Sequence, residues 1–178
     1  MTKDEVDSIL TERSESEHDA SRRIKTEFLL QFDGVGSLGS DRVLVLAATN
    51  RPHELDEAAL RRFVKRIFIP LPEPDTRQNL LSNLLSTHKH SLNLSDFQKL
   101  VQLTDGYSAS DLTALAREAS LGPIRDLGAR FLTINQSDIR PISMSDFQKA
   151  ITVIRKSVSP SSIKTFLDFQ QDYGTKGV

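Results

Sequence analysis

Asp4-Glu5 is an adjacent carboxylate pair near the start of the chain. At a strand end, two such acids can divide labour, one holding Mg²⁺ directly or through water and the other polarising a nucleophilic water. Taken alone, the pair reads more readily as a solvated terminus, since Met1-Thr2-Lys3 stands where an apolar strand should precede it. Asn50 ends an apolar run, where a carboxamide can orient a water beside a phosphate; alone, an Asn before Arg51-Pro52 reads more readily as a turn former. Arg61-Arg62 follow a short helical stretch. A guanidinium reaching across a subunit boundary stabilises charge in phosphoryl transfer, although two arginines at a helix end are by default solvated.

Gly34-Val35-Gly36-Ser37-Leu38-Gly39 fits the G-x-G-x-x-G dinucleotide fingerprint. That motif works only between a strand and the helix whose N-terminus holds the pyrophosphate. Here it follows a helical pattern and precedes a strand pattern. Ser40 and Asp41 stand where a phosphate-binding loop requires Lys and Ser/Thr. The stretch is expected to be a connecting loop.

The elements that must position these groups alternate. Ser16 to Phe32 reads as a helix, with Ser16 and Asp19 as capping candidates and Ile24, Phe28, Leu29 and Phe32 at helical spacing. Val43 to Ala48 is a continuous apolar run suited to a strand buried on both faces. A short helix from Leu55 to Arg61 and a β-prone run, Ile67-Phe68-Ile69, follow. Pro70, Pro72 and Pro74 then mark a domain boundary. Beyond them the period is helical: Leu80 to Leu85, Phe97 to Leu103, Ser110 to Leu121, a helix capped by Ser145, and a last helix opened by Ser159-Pro160. The fold class expected is α/β: part of a parallel sheet with helices, then a small all-α bundle and a C-terminal helix.

Composition narrows the function classes. In 178 residues, 23 Lys and Arg nearly balance 24 Asp and Glu, so no overall basic charge argues for nucleic acid. The chain has no cysteine, which excludes disulfides, thiolate metal sites and cysteine nucleophiles. No apolar run approaches the roughly 20 residues that span a bilayer, and the first residues lack the apolar core of a secretory signal. The chain reads as soluble, cytosolic or nuclear, with no membrane contact through this part.

Joint order and spacing raise the value of these clusters. Asp4-Glu5-Val6-Asp7-Ser8 is followed by Glu17 to Arg23, Ala47 to Pro52, Leu55 to Phe63, and Gly106-Tyr107-Ser108-Ala109-Ser110-Asp111-Leu112. This series resembles the AAA ATPases, and within them the microtubule-severing group. Gly122-Pro123-Ile124-Arg125 and Ser157-Val158-Ser159-Pro160 add to the likeness, which covers essentially the whole chain from Asp4 onward. The resemblance implies domains at 1–72 (partial large α/β domain), 73–156 (helical lid) and 157–178 (C-terminal helix packing back on the large domain). It implies Asp4 and Glu5 as the acids for Mg²⁺ and for water activation, Asn50 as the polar sensor, and Arg61 and Arg62 as arginine fingers. Ala109 and Ser110 would fall where the family's lid approaches nucleotide, with Ala109 in a place usually held by Gly. His18, Arg22 and Arg23 would lie in or beside a pore loop, although Arg22 and Arg23 read equally as the polar face of their helix. The implied cofactors are ATP and Mg²⁺, and the implied partners a homohexamer of self and the acidic tails of tubulin on microtubules.

One departure matters. The family's Gly-rich phosphate loop and its Lys have no match in these residues. Because phosphoryl transfer is mostly positioning and electrostatics, the chain alone is expected to bind ATP weakly or not at all and to be inactive. The competing reading is a non-catalytic short form that docks into AAA hexamers and modulates them. A third, an ATPase of the kind that disassembles ESCRT filaments, would need a β-insertion in the lid, and the stretch from Leu121 to Ser145 has room only for a helix and a loop.

Overall fold

The chain from Lys3 to Leu46 leaves one strand and returns parallel to it. β1 (Thr2–Lys3) and β2 (Leu46–Ala47) pair with Thr2 opposite Leu46 and Lys3 opposite Ala47. A parallel return requires a crossover, and α2 (Asp19–Gly34) lies within it, after the single turn α1 (Asp7–Leu10). The computed structural model describes residues 2–3, 6–10, 19–34, 44–135 and 138–175. These divide into two compact units, residues 1–68 with 164–178, and residues 69–163.

In the first unit the strand pair continues past its ends, where the Val6 amide donates to the Ala48 carbonyl at 3.1 Å. α3 (Glu57–Arg62) is capped by Asp56, whose carboxylate accepts from the Ala58 amide at 2.7 Å. The Asp56 amide donates to the Leu10 carbonyl at 2.8 Å, which ties α3 to α1. Val6, Leu10, Leu29 and Ala59 are buried together, with Phe28 and Phe63 packed against them.

Three expectations are corrected here. The run up to Ala48 is not buried on both faces: Leu44 is 76% and Leu46 58% exposed, because among the described residues β2 has a single neighbouring strand. Ile67 to Ile69 belongs to neither a helix nor a strand, and Ile69 is 85% exposed. Ile24 does not join Phe28 and Leu29 in the core and is exposed. The proposed loop from Val35 to Gly39 lies outside the described residues, and Gly34 is the last residue of α2.

Among its described residues the second unit is helical apart from one isolated parallel bridge between His90 and Ile142. α4 (Pro74–Leu85), α5 (Leu94–Leu103), α6 (Ala109–Ser120), α7 (Gly122–Leu127) and α8 (Met144–Val153) surround a core centred on Leu81, Leu100, Leu112, Leu115 and Phe147. Their starts are written in the sequence. Pro74 opens α4, and Asn93 with Asp96 and Ser108 with Asp111 form reciprocal capping boxes. The cap of α8 is Ser143, not Ser145, because Asp146 reaches back to the Ser143 amide at 2.9 Å. Between Leu121 and Ser145 the described residues hold α7 and a 3₁₀ turn, Gly128–Leu132, and no strand. α9 (Pro160–Tyr173) opens on Ser159, whose Oγ accepts from the Ser162 amide at 3.1 Å.

Candidate functional site

Two parallel strands end toward the same edge, so the residues just beyond each strand are brought together. After β2 the Thr49 hydroxyl donates to Asp7 Oδ1 at 2.6 Å and accepts from the Arg51 amide at 2.9 Å. Thr49 therefore forms the turn that Asn50 was equally suited to make. Asn50 remains exposed beside it. Asp4 and Glu5 lie outside the described residues, as does His18. Among the described residues no group of three or more His, Cys, Asp or Glu could hold a metal. The described part offers a nucleotide the exposed carboxamide of Asn50 and, on α3, cationic charge.

The two arginines of α3 are not equivalent. Arg62 clasps the end of α2: its Nε and Nη2 donate to the two carboxylate oxygens of Asp33 at 2.8 and 2.6 Å, and its Nη1 donates to the Ala58 carbonyl at 2.9 Å. This fork-to-fork geometry holds the Asp33 carboxyl below the usual carboxylate range and raises Arg62. The Phe32 and Phe63 rings meet edge-on beside it, 5.1 Å apart. Arg61 points away, 79% exposed against 26% for Arg62, and among the described residues it pairs with the equally exposed Glu57 at 3.3 Å. Such an i,i+4 surface pair is worth a few tenths of a kcal/mol, so Arg61 is readily redirected to a better anion.

The remaining candidates fall elsewhere. Arg22 and Arg23 are exposed in the first turns of α2, along an open groove with Glu27 and Gln31. Ala109 and Ser110 belong to the second unit, exposed in the first turn of α6. Below them Ser108 Oγ accepts from the Asp111 amide at 3.1 Å. Burial works against the Asp111 carboxylate, but hydrogen bonds from Ser108 and Ser157 outweigh it and keep its pKa below the ordinary value. Residue type and spacing do not single out Asp33, the residue that sorts the two arginines. Its place just before Gly34 at a helix end is the one available signal.

These elements define a class. Residues 3–71 match the family model for the ATPase family associated with various cellular activities (AAA), 95–149 the AAA+ lid domain, and 132–174 the Vps4 C terminal oligomerisation domain. The chain is a C-terminal AAA portion with its lid. Within that class it is 53% identical over 177 residues to spastin from Danio rerio, across 98% of this chain and 31% of the relative. A solved FIGL-1 AAA domain in complex with ADP superposes with a TM-score of 0.90 at 44% identity, over 97% of this chain and 57% of that one. A structure describing katanin self-assembly does so with a TM-score of 0.74 at 35% identity, over 94% of this chain and 57% of that one. The chain thus spans about a third of the length of the spastin it matches.

Proposed function

We propose that this chain forms part of an ATP-driven microtubule-severing ATPase of the spastin kind, which hydrolyses ATP as a homohexamer and pulls the acidic tails of tubulin. The observation that carries the reading is Arg61: on a chain 53% identical to a spastin, it is the exposed member of an arginine pair whose other member is held within its own subunit. An exposed guanidinium beside a fixed one suits a cation delivered to a neighbour's phosphate. In this reading Arg61 acts in trans and Arg62 holds α3 against α2. Asp4 would hold Mg²⁺, Glu5 would polarise the attacking water, Asn50 would orient it, and Ala109 and Ser110 would lie beside the nucleotide. Bound ATP with Mg²⁺ would supply the phosphoryl group and neutralise its charge. His18, Arg22 and Arg23 would present positive charge to a polyglutamate-like strand, and the exposure of Arg22 and Arg23 supports this.

The same reading divides the chain into a partial large domain (1–72), a lid (73–156) and a C-terminal helix (157–178), and sets the protein in the cytoplasm on microtubules. The match to an oligomerisation domain supports assembly. Alone, the chain is inactive, since its residues include no Gly-rich loop with Lys to cradle phosphates. Calorimetry on the purified chain tests this, and stoichiometric micromolar ATP binding would overturn it. The catalytic part is tested by exchanging the matching region of Danio rerio spastin for this chain. There Arg61→Ala is expected to cut ATP turnover by roughly 10³-fold or more, and unchanged turnover removes the reading. Mixing the 178-residue chain into spastin hexamers tests the short-form alternative, in which Arg61 completes a neighbour's site.

A further inference from the structure

Arg66 lies four residues beyond α3 and joins two helix ends. Its Nη1 donates to the Leu60 carbonyl at 2.7 Å, within the last turn of α3 and one residue before Arg61. Its Nε donates to the carbonyl of Tyr173, the last residue of α9, at 2.6 Å. The carbonyls of a helix's last turn lack intrahelical donors and carry partial negative charge, so one planar cation satisfies both ends at once. The backbone reinforces the join: the Arg66 amide donates to Thr175 Oγ1 at 2.9 Å, and the Thr175 amide donates to the Arg66 carbonyl at 3.1 Å. Phe68 and Phe166 stack nearby with centroids 6.4 Å apart.

These contacts give the C-terminal helix a direct hold on the helix that carries Arg61. Leu60 and Arg61 share a peptide unit, so a donor fixed on the Leu60 carbonyl limits how far Arg61's backbone can turn. The segment matching the oligomerisation domain runs to residue 174 and includes Tyr173. We propose that Arg66 is a positioning residue, through which the docked end of α9 sets the last turn of α3 and so the aim of Arg61. The proposal rests on Arg61 acting in trans. A lysine could keep the charge but not the fork that reaches two carbonyls in different directions.

The first test needs only the 178-residue chain. Site-resolved hydrogen exchange on Arg66→Ala is expected to rise about tenfold or more in two places together, Leu60 to Phe63 and the last turn of α9. Arg66→Lys is expected to give a smaller rise at both, and Arg61→Ala none. If α9 is freed while Leu60 to Phe63 keeps its protection, Arg66 only anchors the tail and the proposal fails. Should Arg66→Ala raise exchange throughout the chain, Thr175→Val, which removes one acceptor, gives the milder form of the same comparison. The second test uses the exchanged spastin. Arg66→Ala is expected to lower kcat roughly tenfold while leaving KM for ATP within about twofold, because a finger acts on the transition state. Full turnover in Arg61→Ala would remove the underlying reading. A dead Arg61→Ala beside a fully active Arg66→Ala overturns this inference alone.

Discussion

The second unit, residues 69–163, which contains the lid match, and the first unit, residues 1–68 with 164–178, which contains the match to the AAA model, differ in how deeply their described apolar residues are buried. In the lid, Leu81, Leu85, Leu100, Leu112, Leu115 and Phe147 are fully buried in one cluster, and three helices begin on reciprocal caps. Among the described residues of the large-domain portion the buried apolar set is Val6, Leu10, Leu29 and Ala59, while Leu46, Val64 and Ile67 face outward. A helical bundle closes its core with local elements, whereas a parallel sheet is completed only by strands distant in sequence. The lid should therefore carry most of this chain's stability.

The strongest way to break that contrast is to hollow each core in turn. Phe147→Ala removes a ring with no exposed surface and is expected to cost the lid about 3–5 kcal/mol. Phe63→Ala, half-buried at the edge of the smaller core, is expected to cost about half as much. Hydrogen exchange resolved by unit measures both, since the two units need not unfold together. Equal costs would mean that the large-domain portion holds as complete a core as the lid.

The next largest effect is electrostatic. Arg140 donates to both oxygens of Asp146, at 2.7 and 2.8 Å, and also to Asp126. The Arg140 hydrogen bonds, against a smaller burial cost, hold the Asp146 carboxyl down to about 2 from its ordinary 3.8. A carboxyl lowered in the folded state stabilises above its unfolded pKa and loses that stabilisation as pH falls through the folded one. The lid should thus lose about 2 kcal/mol between roughly pH 4 and pH 2. Asp146→Asn should remove that acid-dependent loss and cost a similar amount at neutral pH. The large-domain portion has no counterpart of this buried acid among its described residues, so its stability should change less across the window. A titration monitored by circular dichroism and exchange decides it.

Gly122→Ala is a smaller lever on the same network. A Cβ at Gly122 would fall on the Asp146 carboxylate, so the side chain must shift and its grip on Arg140 loosen. The expected cost is about 1–2 kcal/mol. It should shrink when Asp146 is already Ala, because residues in contact are not additive. Thermal unfolding of the four variants of that cycle measures the coupling, and simple additivity would show that Gly122 is not packed on Asp146.

Much of the lid was legible because its signals are local. Helical spacing found each of its long helices, and Ser159-Pro160 marked the start of α9. Where the sequence misled, the partner was remote. Val43 to Ala48 does hold a strand, Leu46–Ala47, but it read as buried on both faces, and Ile67 to Ile69 read as a strand, because continuous apolar runs report that something should cover them, without reporting what. The site behaved likewise. Asn50, Arg61 and Arg62 became candidates only through their joint order with the other clusters, and that order did not reveal that Arg62 is held by Asp33 while Arg61 is exposed. That distinction depends on Asp33, 29 residues away, and the hold on α3 depends on Arg66 and Thr175, 109 residues apart. Pairs at such separations leave no periodicity to read.

The smallest expected effect tests the outward-facing residues of the large-domain portion. Leu46 and Ile67 are 58% and 64% exposed, so replacing each with Thr gives up little burial. Thr also has the β-branched form that suits extended chain. Leu46→Thr and Ile67→Thr together should change the stability of the 178-residue chain by no more than about 0.5 kcal/mol. Their effect should appear instead in self-association, because exposed apolar side chains, such as Leu46 on a strand with one neighbour among the described residues, favour contact between copies. Light scattering across a concentration series should show less association in the double variant, with an unchanged melting temperature. A loss above about 1 kcal/mol would mean that these side chains are covered in solution, and the contrast between the two units would then narrow.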